Sequence, residues 1–203
     1  MSRLLETERL LLRPPVSGDA PAIARWLGDF EIAKNMASIP YPLTTRDAEH
    51  LVKQAIEGRA KGEAYSFVIL RKDSGRLLGY CSITLKDGAY TLSYWLGRPF
   101  WGHGLATEAV KKLISFALRD LKAERIEAVW PDDNPAAARV LGNLGFKPVA
   151  SERRFIRARG ETVLVNRMAL SREAYGRKRS TVRWSSLQHS ATRLTDYANC
   201  VGA

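Results

Sequence analysis

One stretch of this chain constrains its fold more than any other: an apolar strand that passes through a glycine-rich turn directly onto an amphipathic helix. Ala89 to Leu96 has the aromatic and aliphatic content of a strand, and Gly97 to Gly104 forms the turn. From Leu105 to Leu118, the residues Leu105, Ala109, Val110, Leu113, Phe116 and Ala117 recur at helical spacing. The first N–H groups of a helix have no intrahelical acceptor and the macrodipole is positive there, so an anion at this turn is bound by the main chain itself. Gly102 and Gly104 remove the Cβ atoms that would block its approach and permit positive φ. The turn reads as a pyrophosphate cradle.

Several phosphate loops share such glycine spacing, and two of them fail on these residues. Gly97 and Gly102 stand at Walker A spacing, but His103 and Gly104 occupy the places of the Lys and the Ser or Thr that hold a nucleoside triphosphate. A dinucleotide fingerprint needs Gly or Ala where Thr107 stands, and a position in the first unit of a parallel sheet. The strands upstream read as antiparallel. Tyr65 to Lys72, Arg76 to Leu85 and Ala89 to Leu96 are separated by the hairpin turns Asp73-Ser74-Gly75 and Lys86-Asp87-Gly88. Glu124 to Trp130 reads as another strand, so the intervening helix makes a right-handed crossover and its flanking strands are parallel. The sheet is therefore mixed, with the glycine turn at the carboxyl end of a central strand.

Five segments together resemble a known family. They are Thr7-Glu8-Arg9-Leu10-Leu11-Leu12-Arg13-Pro14, Leu78-Gly79-Tyr80, Tyr94-Trp95-Leu96, Trp101 through Ala109, and Asn134 through Gly145-Phe146. In this order and approximate spacing they resemble the acetyl-CoA-dependent N-acetyltransferases of the GNAT superfamily, in the RimJ/RimL-type branch of ribosomal-protein alanine and serine N-acetyltransferases. The resemblance implies a single domain of mixed α/β class, with a mostly antiparallel central sheet of about seven strands flanked by helices. It also implies that the strand before the glycine turn splays from the strand after the crossover helix. The implied activity is transfer of acetyl from acetyl-CoA to a primary amine, with no metal.

The resemblance assigns main-chain groups of Ser93, Tyr94, Trp95 and Leu96 to the pantetheine arm. Trp101 opens the loop, and the N–H groups of Gly102, His103, Gly104, Leu105, Ala106 and Thr107 are assigned to the pyrophosphate. Asn134 matches an asparagine that touches pantetheine, although Asn134-Pro135 is equally an N-cap followed by a first-turn proline. Arg139, one turn on, is either a charge-assisted donor to the 3′-phosphate or a solvated residue of the helix face.

Three positions depart from the superfamily pattern. Trp101 stands where many members have Gln or Arg, and an aromatic residue there is ordinary in the ribosomal-protein branch. Leu141 replaces the tyrosine that protonates the departing thiolate in some members, and Ala137 replaces a serine that is a second proton donor in that branch. Attack of a neutral amine on a thioester needs positioned reactants, an N–H donor for the oxyanion and a base. The N–H near Trp95 or Leu96 is the expected donor. Glu127 and Asp132 are the candidate bases, against the reading that both are solvated strand-end carboxylates and that Asp132 or Asp133 eases a turn. Glu108 lies in the first helical turn, where the dipole alone favours an acid, and His103 is expected to point away from the chemistry.

The remaining segments frame the acceptor. Arg9 to Pro14 reads as a first strand, while Ala22, Ile23, Trp26 and Leu27 mark a short helix. Thr45 to Arg59 marks a longer helix, capped by Thr44 or Thr45, with Ala48, Leu51, Val52, Ala55 and Ile56 on one face. Ile32 to Leu43 walls the acceptor groove by resemblance, and is equally an ordinary packed loop. Arg153 to Gly160 and Glu161 to Leu170 read as the last strands. The arginines of Arg157-Ala158-Arg159-Gly160 at their junction either attract an acidic peptide or phosphate or protect a solvated edge.

A chain of 203 residues with 45% hydrophobic content can bury a full core, and no apolar run is long enough to span a bilayer. Met1 to Arg13 lacks the apolar region of an export signal, and Cys81 and Cys200 are isolated and lack metal-ligand neighbours. A cytoplasmic, disulfide-free domain over residues 1–175 is expected, followed by a basic, polar and flexible extension over 176–203. The net charge of +11 owes part of its excess to Arg177, Lys178, Arg179, Arg183 and Arg193 in that extension. They offer a tether to ribosomal RNA, but no aromatic-basic platform or base-reading motif accompanies them, so no nucleic-acid partner is expected. A CoA-binding module without catalysis and an RNA-associated scaffold are the alternatives to an active enzyme. Ribosomal-protein N-termini, other peptide N-termini, polyamines, aminoglycosides and small amino metabolites all fit as acceptors, and monomer and homodimer both fit as assemblies.

Overall fold

In the computed structural model, which describes residues 4–86 and 88–176, the chain opens with a two-residue strand, Leu5–Glu6 (β1), paired antiparallel to Leu10–Arg13 (β2). Helices Ala20–Leu27 (α1), Phe30–Ala33 (α2) and Thr45–Ala60 (α3) follow. Ala64–Arg71 (β3), Leu77–Lys86 (β4) and Ala89–Leu96 (β5) form the expected antiparallel meander, with β3 also paired to β2. The crossover helix Leu105–Arg119 (α4) leads to Arg125–Pro131 (β6), parallel to β5. Pro135–Leu144 (α5), Lys147–Ile156 (β7) and Glu161–Ser171 (β8) complete a sheet of order β1-β2-β3-β4-β5-β6-β8-β7.

The mixed sheet flanked by helices is the one the residues imply, with differences at its margins. β1 and α2, two and four residues long, are too short to show a period. β7 starts at Lys147, well before the expected Arg153, because this edge strand is exposed almost throughout and shows no apolar alternation. Gly88 has φ +77°, as the expected turn requires, while Asp87 lies outside the described residues. So do residues 177–203 of the expected extension, with Cys200. No helix among the described residues is long and apolar enough to cross a membrane.

Strand alternation divides the core into two layers. On one face Leu92 and Leu96 of β5 and Ile126, Ala128 and Trp130 of β6 pack under α4 and α5, where Leu113, Ile114, Leu141 and Leu144 are buried. On the other, Val68 and Trp95 pack against Ile23 and Leu27 of α1 and Ala48 and Val52 of α3. Thr44 caps α3 reciprocally: its hydroxyl accepts from Asp47 N–H at 3.2 Å and Asp47 accepts from Thr44 N–H at 2.9 Å.

α1 is tied to β2 through a buried carboxylate. Asp19, 7% exposed, accepts two bonds of 2.7 Å from the Arg13 guanidinium and one of 2.8 Å from Val16 N–H. Burial pushes its pKa up, but the hydrogen bonds and charge of Arg13 together with Val16 outweigh that and hold it below the usual carboxylate value. A lowered native pKa contributes stability that is complete above the ordinary carboxylate range near pH 4 and is lost as the pH falls below it. Urea midpoints of the wild type and Asp19→Asn, measured from pH 7 downward, are therefore expected to differ at neutrality and to converge below about pH 4. A pH-independent difference would remove the ionised carboxylate as the cause.

Candidate active site

The ladder between β5 and β6 stops early. Its pairs are Tyr90↔Ile126, Thr91↔Glu127 and Leu92↔Ala128, after which β6 goes on pairing with β8 as far as Pro131↔Val165. Gly97 N–H donates to Leu78 C=O at 2.8 Å, and hydrogen-bonded pairs alternate along an antiparallel ladder. Trp95 and Ser93 therefore spend their main-chain groups on Tyr80 and Ser82, while Tyr94 and Leu96 turn theirs toward β6, where the ladder has ended. In a continued parallel ladder residue 131 would donate to Tyr94 C=O, but that residue is Pro131, which has no N–H. Pro131 therefore withholds one rung from the open part of the seam.

At the head of this opening lies the glycine turn. Gly102 and Gly104 have φ +77° and +73°, and a Cβ at Gly102 would meet nothing within 4 Å. Gly104 is the N-cap of α4, so the N–H groups that follow it face outward from a helix start. Side chains hold the loop's carbonyls from behind. Trp101 Nε1 donates to Leu96 C=O at 2.8 Å, His103 Nδ1 lies 2.7 Å from Trp101 C=O, and Arg9 Nη1 donates to His103 C=O at 3.1 Å. The tryptophan that departs from the superfamily pattern is thus an anchor of the loop. With Leu96 C=O engaged, its N–H is the group left facing the opening.

The base of the loop rests on α1. Trp26 packs edge-on against Phe100 at 5.4 Å, its Nε1 donates to Leu77 C=O at 3.1 Å, and a Cβ at Gly97 would come within 2.8 Å of its ring. Arg98 pairs at 3.0 Å with Asp29, which also caps α2. Glu108, in the first turn of α4, accepts from Thr7 Oγ1 at 2.5 Å, Arg9 N–H at 2.9 Å and Arg9 Nε at 2.7 Å. Burial raises the Glu108 pKa, but these donors and the Arg9 charge outweigh it and keep the carboxyl below its ordinary range. Glu108 therefore has specific partners beyond the helix dipole.

Asn134 caps α5, its carboxamide oxygen accepting from Ala137 N–H at 3.2 Å, so both expected readings leave Nδ2 as the atom available to a ligand. Arg139 is exposed on the same helix. Leu141 is 1% exposed within the core, so the position of the family's tyrosine supplies no proton. Tyr94 points its ring into the layer under α4, where its hydroxyl is buried without a partner and burial raises its pKa.

The two candidate bases lie on opposite faces of the sheet. Glu127 alternates with the core residues Ile126 and Ala128, and so faces the side of Trp95, α1 and α3. There it bonds Arg125 at 2.8 Å and lies 3.7 Å from Arg167 Nη1. Asp132 accepts from Asn166 Nδ2 at 2.6 Å, and Asn166 in turn accepts from Ser151 Oγ at 2.7 Å, on the α5 side. Asp133 turns elsewhere, to a bidentate pair with Arg159 at 2.7 and 2.8 Å. Arg159, 10% exposed at its side chain, also donates to Lys34 C=O at 2.7 Å, and Arg157 N–H donates to Ala37 C=O at 3.1 Å. The hairpin tip thus clasps the segment after α2, and Arg159 is a largely covered tie, not a solvated edge.

Comparison with known proteins agrees with this geometry. The acetyltransferase (GNAT) domain matches residues 9–147. The chain belongs to the GNAT acetyltransferase family. It is accordingly an acyltransferase with acetyl-CoA as donor. A GNAT relative, the uncharacterised N-acetyltransferase p20 of Bacillus licheniformis, is 30% identical over 84% of this chain and 97% of its own length. Among solved GNAT structures, a ribosomal-protein-alanine acetyltransferase from Vibrio fischeri superimposes with TM-score 0.74 at 20% identity, covering 85% of this chain and 98% of that one. RimL, a ribosomal α-N-protein acetyltransferase solved with coenzyme A, gives TM-score 0.75 at 19% identity, covering 83% and 98%.

Proposed function

We propose that this GNAT domain acetylates the primary amine of a peptide N-terminus, with ribosomal-protein N-termini as first candidates, by direct attack in a ternary complex. The observation that carries the donor half is the open seam. Tyr94 and Leu96 present unused main-chain groups beside an outward-facing helix start, so a pantetheine arm pairs along Ser93 to Leu96 while the N–H groups of Gly102 to Thr107 hold the diphosphate. Asn134 Nδ2 and Arg139 extend that grip to the arm and the 3′-phosphate. The acceptor half draws on the likeness to the two ribosomal-protein enzymes and on the wall made by the clasped hairpin tip and the segment at 34–37.

Acetyl-CoA supplies the activated acyl group, and the chain's own residues do the rest. Leu96 N–H faces the opening with its carbonyl already engaged, and serves as the fixed donor to the developing oxyanion. Glu127 lies one pair before the ladder ends, on the Trp95 face and opposite Thr91, about 17 Å along the strand from Leu96, and takes the ammonium proton through a chain of waters. Glu127→Gln is expected to lower kcat about a hundredfold with the KM for acetyl-CoA held, whereas Asp132→Asn changes kcat less than about twofold. An equal loss in both variants would place the base elsewhere. To test the acceptor, acetyl transfer from acetyl-CoA is measured on peptides with Ala or Ser N-termini and on spermidine and kanamycin. Preference for either small amine would overturn the peptide reading.

A further inference from the structure

Thr7-Glu8-Arg9-Leu10 stood out in the sequence, yet nothing in acetyl transfer obviously needs a motif at the far edge of the sheet. We propose that Arg9 is a positioning residue of the donor site, which clamps the diphosphate loop from behind and neutralises the one carboxylate built into its helix. This rests on the reading of the loop as the diphosphate site.

The geometry is specific. Arg9 grips Glu108 through Nε at 2.7 Å and Nη2 at 2.6 Å, and its own N–H adds a third contact at 2.9 Å. The same guanidinium donates through Nη1 to His103 C=O at 3.1 Å. Thr7 completes the arrangement, its hydroxyl on Glu108 at 2.5 Å while it accepts from Leu10 N–H at 2.9 Å.

Two physical consequences follow. A main-chain anion site requires N–H groups forward and carbonyls turned back, and His103 is the residue between the two glycines whose φ values set the loop. Arg9 pins its carbonyl on the rear side. A carboxylate four residues past the N-cap also repels the anion that the helix start attracts, unless a cation is held on it. A planar fork reaches two acceptors at once in a way that a lysine ammonium cannot. The Arg9 side chain remains 42% exposed, and a Cβ on Gly104 would lie 3.7 Å from Nη2, so the guanidinium edge borders the cradle itself.

The test compares two ligands. CoA carries the diphosphate and pantetheine lacks it, so calorimetry with CoA and chemical-shift titration with pantetheine separate loop effects from effects on the arm. For Arg9→Ala, the Kd for CoA is expected to rise about thirtyfold while that for pantetheine stays within about twofold. Arg9→Lys, which restores the charge but not the fork, is expected to fall between wild type and Arg9→Ala, with circular dichroism confirming that both variants fold. A parallel weakening for both ligands would make Arg9 merely structural, and unchanged CoA affinity would also overturn the proposal. A wild type that binds the two ligands equally would instead overturn the diphosphate reading of the loop, and Arg9 with it.

Discussion

Gly104→Val is expected to weaken CoA binding about a thousandfold while the protein still folds. Gly104 has φ +73° at the N-cap of α4, with open space around it apart from the edge of Arg9. A β-branched residue there is strained by about 1–3 kcal/mol, which a folded domain tolerates. It also crowds the turn beside the N–H donors proposed to hold the diphosphate and pushes on the Arg9 edge next to them. Losing two charge-assisted bonds of about 2 kcal/mol each amounts to about 4 kcal/mol, or three orders of magnitude in Kd. Calorimetric titration of CoA into the variant and the wild type measures this directly. Equal affinities would show that the anion is held somewhere else.

The second large effect falls on the fold. Gly79→Ala is expected to destabilise the domain by about 3 kcal/mol or more. β4 is bulged beside this residue, since Ile69 pairs with Gly79 but Leu70 pairs with Leu77. The bulge presses Gly79 onto β5, where a Cβ would overlap the carbonyl oxygen of Trp95 and come within 2.8 Å of Leu96 Cα. These are backbone atoms of the strand that carries the open seam, so relief requires β5 to move. Chemical denaturation of Gly79→Ala should show a large drop in midpoint, and any folded fraction should bind CoA poorly. Wild-type stability would mean that β4 can slide without disturbing β5.

The strand, turn and helix from Ala89 to Arg119 were legible because each residue type there has one strong local reason: glycines with positive φ, a tight hairpin and a helical stripe. Pro131 was equally visible, yet its meaning depends on a parallel register that no local pattern encodes. The same holds for Thr7 and Arg9. Their partner Glu108 lies about a hundred positions away, so the motif could be seen and its role could not. Glu127 and Asp132 are five apart, and the odd interval along an extended chain already puts these two candidate bases on opposite faces. Arg159 looked like an edge charge because its acceptors, Asp133 and the Lys34 carbonyl, come from other parts of the chain.

Pro131 has a consequence for how the molecule behaves as an object. A sheet that loses one rung of this seam to an imino acid has its two wings, β1 to β5 and β6 to β8, joined by only three rungs of backbone. In the proposed complex the arm of the cosubstrate acts as a borrowed strand, a mechanical splice as much as a reactant. A donor held there stiffens the join between the two wings, and departure of the spent carrier slackens it again.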